Sequence, residues 1–152
     1  MKKILMPIMM VILIGTITVT LSAYDDDTLT MLETVGVLSG QGLYLTYTSI
    51  GAVMDAWSYD AYTDQEAMDM LYEFVAICET VVDQFDILLD SDIMNAEDVD
   101  YVSQLSGAYT LLIKQGEAGI DFIDTGTETY IDKFEEHRIA AWDKIAYLLG
   151  LE

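Results

Sequence analysis

The residues that could do chemistry in this chain are few, and their scarcity closes most reaction classes. His137 is the only histidine and Cys78 the only cysteine in 152 residues. A di-iron carboxylate centre in a helical bundle needs two Glu-x-x-His pairs, and the residue three before His137 is Phe134. A c-type haem needs Cys-x-x-Cys-His, and a structural zinc site needs several Cys or His ligands. A lone cysteine also rules out an intramolecular disulfide, so the domain must be stable through its core alone. No Gly-x-Ser-x-Gly elbow, phosphate loop or dinucleotide fingerprint occurs. No catalytic constellation can be assembled, and the sequence predicts a protein that is not an enzyme.

Three weaker candidates remain. His137 with a methionine could ligate a b-type haem. His137 falls about 80° round its helix from the centre of the apolar seam, where a boundary histidine is the simpler reading. Met31, Met54, Met68, Met70 and Met94 read in the same way as core or boundary fillers. Asp90, Asp92 and Asp98, with Ser91, Asn95, Glu97 and Asp100, gather oxygen donors for Ca²⁺ in one loop and helix start. They depart from an EF-hand, because Asn95 stands at the glycine position and Tyr101 where the bidentate Glu belongs. A helix start decorated with capping acids explains the same residues. Arg138 sits on the apolar seam of the last helix, where a guanidinium would snorkel, hold an anion or pair with an acid. The expected partner is Asp86 or Glu117 in a buried ion pair.

Charge narrows the partners. The chain carries 27 acids against six Lys and Arg, a formal charge of −21. Between Tyr24 and Ile113 there is no Lys or Arg at all. Such a surface repels phosphate, which excludes nucleic acid, and attracts cations or a basic protein. A solubility device or a salty habitat would account for the same acidity.

The N-terminus has the pattern of an export signal. Lys2 and Lys3 precede an uncharged run from Ile4 to Ala23 that is apolar to Ile14 and then rich in Thr and Ser. Residues 1–23 are expected to be a cleaved signal peptide, the alternative being an uncleaved membrane anchor. Either places residues 24–152 outside the cytoplasm, periplasmic or extracellular. Cleavage removes two bases and no acid, taking the charge from −21 to −23.

The mature chain has no proline and no linker, and its apolar residues fall into four stretches of helical spacing. Helices are expected at about 28–59, 64–90, 96–124 and 128–149. The clearest seam is Ala67, Leu71, Phe74, Cys78, Val81, Phe85 and Leu88, at alternating intervals of four and three. Thr63 with Glu66 has the form of a capping box, Asn95 and Thr127 are placed to cap the next two helices, and Gly126 and Gly150 to end them. The first stretch is the least helical, with Gly36, Gly40, Gly42, Gly51 and a strand-prone run at Leu43–Thr48. No residue from Thr34 to Met54 is charged, a pattern open to a membrane span with close-packing glycines or to a soluble bundle. Its many Thr, Ser and Tyr residues favour the bundle, with a cavity between the first and third helices as the functional form of that close packing. Short breaks make successive helices antiparallel neighbours. The expected architecture is an all-α, up-down-up-down four-helix bundle in one domain. Its expected role is binding or assembly, with a small-ligand or divalent-cation carrier as the alternative.

Overall fold

The computed structural model describes residues 26–91 and 93–151. It holds four helices, α1 (Asp26–Ser58), α2 (Asp64–Leu89), α3 (Ala96–Thr125) and α4 (Glu128–Leu149), and no strand occurs among the described residues. The Leu43–Thr48 run is helical despite its propensity. Leu43, Ile50 and Met54 reach the core only at helical spacing, and burial outweighs a local preference of a few tenths of a kcal/mol per residue.

The helix ends follow the local chemistry. The Thr63 hydroxyl accepts from the Glu66 N–H at 3.3 Å, while the Thr63 N–H donates to Glu66 Oε2 at 2.9 Å. That reciprocal pair also holds the Glu66 carboxyl below its usual range, chiefly through the Thr63 backbone. Asn95 Oδ1 accepts from the N–H groups of Glu97 and Asp98. Thr127 departs from expectation. It stands at the N-cap of α4, but its side chain makes no capping bond. Its ψ is 117°, against 161° and 172° at Thr63 and Asn95, so the hydroxyl is not carried over the first turn. Gly126 and Gly150 end α3 and α4 in the left-handed region, where glycine meets no Cβ clash. α1 ends in the same way on Asp60, at φ +59°, with Ala61 N–H bonded to Ala56 O and Asp60 N–H to Trp57 O.

α3 is the hub. It packs broadly on α2 and on α4, α1 touches all three more sparingly, and α2 and α4 do not meet. Contact order gives the directions. A Cβ built on Gly116 would meet Val75, one on Gly119 would meet Leu71 and Phe134, and one on Gly107 would meet Lys144. Numbers on α2 and α4 therefore fall as those on α3 rise. Along α1 they rise together: Gly36 lies against Tyr101, Gly42 against Tyr109, and Trp57 against Phe122. The expected seam of α3 is buried throughout, at Val102, Leu105, Tyr109, Leu112, Gly116, Ile120 and Ile123. Ala108, Gln115, Ala118 and Gly119 are buried beside it, so α3 is enclosed on most of its circumference.

Candidate functional site

The candidates drawn from residue chemistry do not converge. His137 is half-buried on α4. Asp90 is exposed and Asp98 half-buried, whereas Asp92 lies outside the described residues. Among the described residues no group of three or more His, Cys, Asp or Glu is arranged to hold a metal ion. Arg138 pairs neither with Asp86 nor with Glu117. Its Nη2 meets Glu135 Oε2 at 2.7 Å and its Nε meets the same oxygen at 2.8 Å. Glu135 is one turn earlier on the same helix, and the two side chains keep 40% and 47% of their exposure. A partner already within reach on its own helix removes the need for one across the bundle. The hydrogen bond to Glu135 is the main reason the Arg138 guanidinium holds its proton more tightly than usual, with the Tyr47 hydroxyl adding to it.

Gly36, Gly40, Gly42, Gly116 and Gly119 each face a neighbour's side chain, whereas Gly51 faces open space. The Tyr109 hydroxyl reaches over Gly42 and donates to the Ser39 carbonyl at 2.9 Å. Leu149 covers Gly40, and Val75 covers Gly116. Cys78 is fully buried, and burial, with the Glu79 carboxylate adding, pushes its thiol up to about 12. Burial does the same to Tyr109, also to about 12, with Cys78 adding to it. Neither group is available to react at neutral pH. Gln115 is the one buried polar side chain among the described residues, and neither its Oε1 nor its Nε2 finds a partner.

What stands out is the side of α1 turned away from the core. Val37, Leu38 and Leu45 are 61%, 62% and 63% exposed. Thr34, Leu38, Gln41, Leu45, Thr48 and Ala52 are all exposed, and their intervals alternate four and three. That is the spacing of a helix-packing seam, laid on the face opposite to the one that meets the core. Glu33 and Asp55 bracket it, with no charge between them. Toward α4 the face continues onto Trp142, whose ring lies 5.5 Å from Tyr47 and 6.5 Å from Tyr44. Trp142 keeps 38% of its exposure.

On the other flank, α1 and α2 diverge to leave an open apolar groove of about 530 Å³, lined by Val35 and Ser39 of α1, by Thr80, Val81, Gln84, Phe85, Ile87 and Leu88 of α2, and by Ser91 and Ile93 beyond it. No lining residue is charged, whereas Glu79, Asp83, Asp86 and Asp90 run down the exposed side of α2. The outer seam was legible as a second four-three spacing, offset from the first. No described helix is long and apolar enough to cross a membrane. The chain matches no family model, and no curated protein and no solved structure is similar to it.

Proposed function

We propose that this chain is an exported, non-enzymatic protein that works by binding or assembly through the outer face of α1 and the groove beside it. The reading takes residues 1–23 as a cleaved signal and the helices as an up-down-up-down antiparallel bundle, in line with the opposed contact order of neighbouring helices. One observation carries it. A strongly acidic protein keeps an uncharged, leucine-bearing helix face in contact with water, where nothing among the described residues requires that composition. Charged residues at those positions would cost the bundle nothing, since surface substitutions away from special features change stability by about 0.5 kcal/mol or less.

The test uses thiol footprinting. Cys78 is buried and protonated, so the native chain is silent. A Leu38→Cys variant, treated in intact cells with a thiol reagent that does not cross the inner membrane, is expected to react far more slowly than the same variant purified and diluted. Equal rates in the two settings would reject a binding role for this face. No labelling even after the cells are opened and the protein diluted would place the thiol out of reach and reject the exposure on which the role depends. The mass of the labelled protein reads the cleavage step directly, since a chain beginning at Met1 would reject it.

A further inference from the structure

We infer that the outer face of α1 is a self-association surface, on which a second copy of this chain packs its own α1 antiparallel across a two-fold axis. The inference rests on the binding role proposed above and names the occupant. Three observations lead to it.

The first is spacing. Leu38, Leu45 and Ala52 recur every seven residues along an exposed helix face, with the uncharged Thr34, Gln41 and Thr48 between them, a stripe that fits another helix of the same repeat. The chain supplies one itself, and an isologous contact needs no other.

The second is charge. At −21 the chain repels its own copies, and the exposed sides of α2, α3 and α4 carry acids such as Asp83, Asp121 and Glu136. The run from Thr34 to Met54 is where two copies meet without setting carboxylate against carboxylate. The antiparallel arrangement follows from the same repulsion. A parallel pair would stack Glu33 on Glu33, Asp55 on Asp55 and two acidic N-terminal ends, with the helix dipoles aligned unfavourably. An antiparallel pair keeps the two N-terminal ends apart with the dipoles opposed and brings Gln41 and Leu45 toward the axis, with Glu33 of each copy level with Asp55 of the other. A basic partner would gain nothing on this face, since it offers no carboxylate between Glu33 and Asp55.

The third is extent. The uncharged run is about 32 Å long at 1.5 Å per residue, and the exposed Trp142 of α4, against Tyr44 and Tyr47, widens it. That run gives two antiparallel α1 helices about six turns along which to pack.

Sedimentation equilibrium on the exported protein, from dilute to about 100 µM, tests the proposal. The expected result is a dimer that tightens as salt rises, because screening relieves repulsion between two acidic copies. A complex with a basic partner would weaken instead. Leu45→Glu and Leu38→Glu are each expected to weaken the dimer at least about tenfold, which is 1.4 kcal/mol. Helix content and melting of the dilute protein should be unchanged, because both side chains stand off the core. Ile87→Glu, in the groove, should leave the dimer intact. A monomeric mass at every concentration and salt overturns the proposal, and so does a dimer that survives both glutamate variants. If the protein is monomeric while Leu38→Cys remains protected in cells, the self-contact is wrong and the binding role stands with another partner. A monomer with an unprotected thiol removes both.

Discussion

α1 and α3 are the two longest helices, at 33 and 30 residues, and their sequences look alike. Each carries several glycines and a long uncharged middle. Their surroundings differ. α3 is enclosed by the other three helices, and its uncharged stretch from Tyr101 to Ile113 is what enclosure requires. α1 buries one stripe, chiefly Leu43, Ile50, Val53 and Met54, and leaves the rest of an equally uncharged surface in water. The same composition is thus explained by the fold in one helix and unexplained in the other. The unexplained case is the one that points outward to function.

The comparison can be broken by substitution, and the largest effect belongs to matched leucines. Leu112→Ala in α3 removes a fully buried side chain and should cost about 2–5 kcal/mol. Leu45→Ala in α1, measured by urea unfolding of the dilute protein, should fall within about 0.5 kcal/mol. Similar losses at the two sites would mean that α1 is enclosed after all. The glycines give the next contrast, with opposite signs. A Cβ on Gly116 would lie 2.6 Å from Val75 Cγ2, so Gly116→Ala overpacks the α2–α3 contact and should cost about 1–3 kcal/mol. A Cβ on Gly51 meets nothing within 4 Å, and Gly51→Ala should raise stability by up to about 1 kcal/mol through helix propensity alone. Thermal melting of the pair reads both signs.

Gln115 sharpens the picture of α3. Its amide is buried without a partner, and a buried unsatisfied polar group costs about 1–3 kcal/mol. Gln115→Met keeps the volume and should raise the melting temperature, with a gain of about 1 kcal/mol or more. A lower melting temperature would show that the amide is hydrogen-bonded in solution. Arg138→Met gives the smallest expected change. A half-exposed ion pair one turn apart is worth about 0.3–0.5 kcal/mol, so the variant should match its parent. A loss of several kcal/mol would restore the buried pair with Asp86 or Glu117.

Much of the fold was readable because it rests on local chemistry. The capping box at Thr63, the cap at Asn95 and the left-handed ends at Gly126 and Gly150 each depend on a few adjacent residues. The seam of α2 drifted from its expected line. Val75, rather than Phe74 or Val81, is buried beside Leu71, Cys78 and Phe85, as a straight helix of 3.6 residues per turn slips past a 3.5 repeat. What composition hid was direction. Nothing in the residue types says that Arg138 would turn to Glu135, or that α3 would sit at the centre with Gln115 inside it. Those outcomes depend on which helix lies opposite, and that is a property of the whole assembly.

The sparse docking of α1 also bears on the order in which the molecule comes together. Short links close α2 onto α3 and α3 onto α4, whereas α1 makes only sparse contact with adjacent α2 and finds its other partners far along the chain. Ser39 meets Tyr109 at a separation of 70 residues. A chain made from its N-terminus therefore presents α1 long before the helix that receives it exists, and closing so wide a loop carries a larger entropy cost than closing either hairpin. No residue from Thr28 to Ser39 is fully buried, so these first turns gain least from docking and should exchange their amide protons fastest, while the centre of α3 exchanges slowest.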